Sequence, residues 1–113
     1  MKLLKKVIRQ EGINLEGKTI YRDAVRGVII KGKKILMIYR AKSGDYKFPG
    51  GGVEEGETYE EALVREIKEE TGATILSIKG ELGKVIEYGI PREEDYDVFK
   101  MTSFYYFCEV DDE

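Results

Sequence analysis

Glu66, Glu69 and Glu70 are spaced to share one stripe of a helix, within an arc of about 100°. Tyr59, Ala62 and Leu63 fall on the same arc, so the carboxylates continue the face that the first turns use for apolar burial. Like charges three or four residues apart cost a helix about 0.2–0.5 kcal/mol per pair. Acids gathered on an inward stripe therefore call for a cation, and oxygen-only ligands suit Mg²⁺, Mn²⁺ or Ca²⁺, not zinc or copper. Arg65 neighbours Glu66 and can grip carboxylates through its two-pronged guanidinium, while Glu57 lies just before the helix. Upstream, Gly50-Gly51-Gly52 offers backbone that a ligand can approach closely. On helix composition alone, a solvated Glu-rich surface helix stands about level with a metal site.

The rest of the composition narrows the chemistry. The 113 residues contain no histidine and one cysteine, Cys108. Without histidine there is no Ser-His-Asp or Cys-His nucleophile system and no His-ligated zinc or haem. Proton and metal work must rest on carboxylates, Lys, Tyr or Arg. One cysteine makes no internal disulfide, which favours a reducing, cytoplasmic setting. No apolar run approaches the roughly 20 residues of a membrane span. The basic amino end lacks the apolar stretch and cleavage site of a signal peptide. The net charge of −3 conceals a split: residues 1–50 carry 13 bases against 4 acids, and residues 51–113 carry 6 against 18. The basic half reads first as solvated surface, and second as a surface for anionic partners.

The elements that must position these residues are legible in outline. Leu3, Leu4, Val7 and Ile8 have helical spacing, but the nearby Gly12 and Gly17 leave a strand equally open. Strands are expected over Ala24–Ile30, Lys34–Tyr39, Thr74–Ile78, Lys84–Tyr88 and Met101–Val110, the last apolar on both faces and therefore central in a sheet. Ala41–Tyr46 and Gly89–Asp97 read as loops. Between them Thr58 and Glu61 form a capping box, and Gly72 supplies the stop of the acidic helix. One strong helix among strands predicts an α/β or α+β domain.

The full spacing is more specific than the helix. From Gly51 the chain reads glycine, five residues, Glu57, seven residues, Arg65-Glu66-Ile67, one residue, Glu69-Glu70, one residue, Gly72. This resembles the Nudix box of the Nudix hydrolase (MutT-like) superfamily, here over residues 51–73. Seven fixed positions at roughly 7% usage each match by chance on the order of 10⁻⁸ per window. Ala73 stands where a larger aliphatic is usual. Lys47-Phe48-Pro49-Gly50 and the strand pair Ala24–Tyr39 also look like the family, so the likeness covers about residues 22–110.

The resemblance implies a single domain over residues 1–113 with a Nudix-type α/β/α sandwich around a mixed sheet. It implies a Mg²⁺- or Mn²⁺-dependent hydrolase cleaving a pyrophosphate linkage in a nucleoside diphosphate derivative. Matched position by position, Glu69 and Glu70 become the principal metal ligands, with Glu66 as ligand or general base. Glu57 supports the cluster, Gly50 adds a carbonyl ligand and Arg65 orients the glutamates. Gly51 and Gly52 are placed against the substrate, and Arg22, Arg26 and Arg40 of the basic half are candidates to meet its phosphates, with strand-edge surface charge at least as good a reading for any one of them. Glu87, Glu93, Glu94, Asp95 and Asp97 are candidates for an acid outside the box. Tyr46, Tyr88, Tyr96 and Phe104 are candidates to stack on a base. The expected partner is a nucleotide, with nucleic acid only as a capped or triphosphorylated RNA end, and no membrane. Family members normally continue with a second long helix, whereas this sequence stops after a strand. A truncated or shortened form that completes itself as a homodimer is the expectation. The alternative reading is a non-catalytic nucleotide- or RNA-binding regulator on the same fold.

Overall fold

Alternation of small and branched apolar residues makes Thr19–Lys31 a long strand, with Ala24, Val25, Val28 and Ile29 all buried. The computed structural model describes residues 1–9 and 11–111. In chain order the elements are β1 (Leu3–Ile8), β2 (Thr19–Lys31), β3 (Lys34–Ile35), β4 (Ile38–Arg40), β5 (Asp45–Lys47), β6 (Gly50–Gly52), α1 (Tyr59–Thr71), β7 (Ile75–Gly89) and β8 (Val98–Val110). The main sheet runs β1-β7-β8-β2-β3, with β6 paired on β2, while β4 and β5 form a separate hairpin. β1 lies parallel to β7 and β2 parallel to β8, and the remaining pairs are antiparallel.

The fold is thus a mixed sheet carrying, among the described residues, a single helix on one face. β8 is central, as its two-sided apolar pattern predicts. The amino-terminal segment resolves as a strand, not a helix. Two expected strands merge into one: β7 runs unbroken through Gly80 and Gly83, where its register against β8 slips. Glycine tolerates such bulges, so the interruption shifts the register without ending the strand. The expected loop at 41–46 yields its last two residues to β5, in a hairpin closed by Arg40 and Asp45.

The helix α1 forms as its end signals predict. The Thr58 hydroxyl accepts from the Glu61 N–H (3.1 Å), and the Glu61 carboxylate accepts from the Thr58 N–H (2.9 Å). Gly72 closes the far end in a left-handed conformation at φ 78°. Ala62, Leu63 and Ile67 are fully buried and pack with Val25, Ile29, Tyr106, Cys108 and Val110. Burying Leu63 or Ile67 contributes about 1.5–3 kcal/mol each, which pins α1 across β2. No helix among the described residues is long and apolar enough to cross a membrane.

Candidate active site

Arg65 is the centre of the acidic strip. It projects from the second turn of α1, and its Nε donates to Glu57 Oε2 (2.6 Å) and its Nη2 to Glu57 Oε1 (3.0 Å), a two-pronged pair. Its Nη1 reaches Glu66 Oε1 (2.8 Å) and Glu69 Oε2 (3.3 Å), and its Nη2 also donates to the Gly52 carbonyl (3.0 Å). One side chain thereby ties the glycine strand β6, the turn before the helix and two helical glutamates. The Arg65 hydrogen bonds, helped by the Glu54 N–H, hold the Glu57 carboxyl down at about 2. The same bonds from Glu57 and Glu66 keep Arg65 firmly protonated.

Glu70 is held separately. Its Oε1 accepts from the Gly50 N–H (2.7 Å) and its Oε2 faces Lys47 Nζ (3.0 Å). Glycine is required in this stretch for two different reasons. At Gly50, φ is 145° and a Cβ would stand 1.9 Å from the Val25 carbonyl oxygen, because β6 is pressed against β2. At Gly51 a Cβ would stand 2.5 Å from Glu66 Oε2, so that carboxylate lies against bare backbone. The oxygen of Glu66 that Arg65 leaves free is the one facing Gly51.

The strip brings together Glu57, Arg65, Glu66, Glu69, Glu70 and the three glycines. Glu66 and Glu70 are half-buried on the inward side, whereas Glu69 is exposed. Among the described residues no three carboxylates stand close enough to hold a metal ion; Glu57, Glu66 and Glu69 pair with Arg65, and Glu70 with Lys47. The donors are nonetheless oxygen alone, carboxylates beside the Gly50–Gly52 backbone, which carries no side chains, and this is the set a hard divalent cation takes.

Arg26 sits opposite Gly50 in the β2–β6 register, with its Nη1 3.4 Å from the Phe48 carbonyl. Arg22 lies against Gly52, where a Cβ would meet its Nη2 at 2.6 Å. Arg40 is not brought to the glutamates: on the hairpin it forms a two-pronged pair with Asp45 (2.9 and 2.5 Å). Among the acids outside the box, Glu87 pairs with Arg9 and Asp97 caps the Lys18 N–H (2.8 Å). The aromatic candidates are used elsewhere. Phe104 stacks under Tyr59 at 4.6 Å and Tyr46 packs on Tyr39 at 5.1 Å. Tyr88 lies under Lys6 and Tyr96 under Lys18. The sequence assigns no role to Lys47, Arg92 or Phe99. Only the β5–β6 geometry brings Lys47 to Glu70, and only the return of the chain into β8 brings Arg92 and Phe99 beside β2.

Three kinds of comparison bear on this arrangement. A family model for the NUDIX domain matches residues 20–113. An ADP-ribose pyrophosphatase of Methanocaldococcus jannaschii is 56% identical over 63 residues, covering 53% of this chain and 37% of that protein. An RNA pyrophosphohydrolase of a Sulfurovum species is 36% identical over 84 residues, covering 69% of this chain and 54% of its own length. The match therefore spans 37% and 54% of these two relatives. Among solved structures, a MutT NUDIX hydrolase from Burkholderia pseudomallei superposes with a TM-score of 0.64 at 25% identity, covering 83% of this chain and 71% of that one.

Proposed function

The chain belongs to the Nudix family, and from that premise we propose that it hydrolyses a pyrophosphate linkage in a nucleoside diphosphate derivative with the help of Mg²⁺ or Mn²⁺. The observation that carries this reading is the acidic strip itself. Four glutamates are held by Arg65 and Lys47 along the edge of a strand without side chains. A regulator that merely bound nucleotides would gain nothing from such a concentration of negative charge facing an anionic ligand.

Glu69, Glu70 and Glu57, with the Gly50 carbonyl, are the residues that would hold the divalent ion, leaving Glu66 to serve as the general base. When bound, such an ion neutralises phosphate charge, polarises the phosphoryl oxygens and lowers the pKa of water. Everything else falls to the chain. Gly51 and Gly52 let the diphosphate lie against the backbone. Arg65 fixes the carboxylates, so that little reorganisation accompanies the reaction. Glu66 Oε2, left free by Arg65, takes the proton of the attacking water. The water oxygen bonds to phosphorus, the bridging P–O bond breaks, and the electron pair leaves with the departing phosphate. The free, buried thiol of Cys108 fits a cytoplasmic setting.

The test is release of phosphate products from a panel of nucleoside triphosphates, dinucleoside polyphosphates, nucleotide sugars and triphosphorylated RNA, with and without Mg²⁺. Turnover that depends on metal and falls by about 10²-fold or more in Glu69→Gln or Glu70→Gln supports the assignment. Binding of these compounds without any turnover would instead favour a nucleotide-binding regulator.

A further inference from the structure

β1 is an outer strand of the main sheet, at one end of the order β1-β7-β8-β2-β3. It pairs with β7 along one edge, and among the described residues no strand pairs with its other edge. The Arg9 N–H bonds inward to the Tyr88 carbonyl (3.0 Å). Backbone groups alternate along a strand, so the N–H and C=O groups of Lys6 and Ile8 point outward. The glycine strand β6 pairs with β2, so β7, β8 and β2 all lie between this free edge and the acidic strip.

An exposed edge is normally cut short or guarded by charge, lysine above all. β1 is guarded against only one kind of partner. With its two flanking residues it reads Lys2-Leu3-Leu4-Lys5-Lys6-Val7-Ile8-Arg9, which contains four bases and no acid. Arg9 pairs with Glu87, whereas among the described residues Lys2, Lys5 and Lys6 have no carboxylate partner. Two copies of β1 laid antiparallel about Lys6, or about the Lys5–Lys6 link, would set lysine against lysine, and like charges directly opposite destabilise a ladder. The apolar residues of the strand are not hidden: Leu3 is 47%, Leu4 41% and Ile8 51% exposed. One strand thus offers free backbone groups, uncovered apolar side chains and unmatched ammonium groups. A strand of alternating carboxylates and branched apolar residues complements all three.

We propose that β1 is a docking edge for an extended, acidic segment of a partner protein, which adds to the sheet as an antiparallel strand. The main chain of that segment bonds to the outward groups of Lys6 and Ile8. Its carboxylates meet Lys2, Lys5 and Lys6, and its apolar residues pack on Leu3, Leu4 and Ile8. A nucleic acid would use the lysines but has no row of N–H and C=O groups to pair with the edge. Docking at this edge leaves the acidic strip open, so the partner tethers the protein without blocking its site.

The probe is a blocked synthetic peptide of alternating Glu and Val, titrated into the ¹⁵N-labelled full chain. A peptide of alternating Lys and Val and an oligouridylate with a 5′-hydroxyl end serve as comparisons. Binding of the Glu-Val peptide is expected, with slowed hydrogen exchange at the Lys6 and Ile8 amides. Lys5→Glu/Lys6→Glu should weaken that binding by about tenfold and let the Lys-Val peptide bind instead. Ile8→Pro removes an N–H that the sheet does not use, and should also weaken it by about tenfold.

The Arg9 amide, bonded inward to Tyr88, reports whether β1 stays in place in each variant. Where a variant frees β1, the wild-type exchange pattern and the choice between the two peptides carry the decision. No binding of the Glu-Val peptide, equal binding of both peptides, or tighter binding of the oligouridylate overturns the proposal. Binding without slowed exchange at Lys6 and Ile8 overturns it as well. None of these readouts uses turnover, so they stand or fall apart from the hydrolase reading.

Discussion

Lys47 Nζ stands 3.0 Å from Glu70 Oε2, joining the β4–β5 hairpin to the last turn of α1. The other oxygen of Glu70 is taken by the Gly50 N–H. A metal ion ligated by Glu70 must share that carboxylate with an ammonium or displace it. Lys47→Met is therefore expected to tighten Mn²⁺ binding by about fivefold, the scale of a largely covered but not fully buried ion pair. Paramagnetic resonance of free Mn²⁺ during titration reads this directly. Weaker binding in the variant would show that Lys47 orders Glu70 for the metal instead of competing with it.

Arg65→Lys tests the positioning role at the centre of the strip. A lysine has no fork to span Glu57 and still reach Glu66, Glu69 and the Gly52 carbonyl. Turnover is expected to fall by about 10²-fold through misplaced carboxylates, with a drop in melting temperature as well, because Arg65, Glu57 and Glu66 are largely covered. The Glu57 carboxyl, held at about 2 by Arg65, should titrate closer to its ordinary value, as carboxyl NMR would show. Its lowered value means that the native contribution of the pair is present above the ordinary carboxylate range and is lost as pH falls towards 2. Retained turnover in the lysine variant would remove Arg65 from the machinery.

Two neighbouring glycines should respond differently to alanine. Gly51→Ala places a methyl 2.5 Å from Glu66 Oε2, the mobile end of a side chain. The carboxylate moves, activity drops, and stability changes by about 1 kcal/mol or less. Gly50→Ala drives a methyl to 1.9 Å from the Val25 carbonyl oxygen at a φ of 145°, where only backbone could give way. A loss of about 3 kcal/mol or more, or failure to fold, is expected. Urea denaturation compared with turnover for the two variants separates the effects, and equal stability losses would contradict the geometry.

Much of this was legible before any coordinates. The helix announced itself because Thr58, Glu61 and Gly72 act locally, through bonds to backbone within a turn. The grouping of Glu57, Arg65, Glu66 and Glu69 followed from helical periodicity and the fixed spacing of the box. What stayed hidden depends on contacts distant in sequence. The strand character of Leu3–Ile8 is decided by its parallel pairing with Lys84–Tyr88, which no local pattern records. β7 looked like two strands because Gly80 and Gly83 read as breaks, although against β8 they are bulges. Arg40 and Phe104 have the right chemistry for the substrate, but Asp45 and Tyr59 already engage them. Conversely, Arg92 and Phe99 show no motif and come beside Arg22 and Arg26 of β2 only through the loop that carries them back.

Tyr59 gives a further check on how α1 is fastened to the sheet. Its hydroxyl donates to Asp23 Oδ2 at 2.5 Å while its ring stacks on Phe104. The bond to Asp23, aided by burial, pushes the Tyr59 phenol up to about 12. A raised phenol value means that its contribution is complete below the usual 10 and is lost as pH rises through about 12. Tyr59→Phe removes the bond but keeps the stack, at an expected cost of about 1 kcal/mol for a half-exposed hydrogen bond to a carboxylate. In urea unfolding the gap between wild type and Tyr59→Phe should stay constant from pH 7 to about 10 and narrow above it. Absorbance at 295 nm during alkaline titration should show one fewer late-ionising tyrosine in the variant. A gap that holds steady through pH 12, or an unchanged set of late tyrosines, would mean that the helix is fastened by the Tyr59–Phe104 stack and the Leu63–Ile67 core alone.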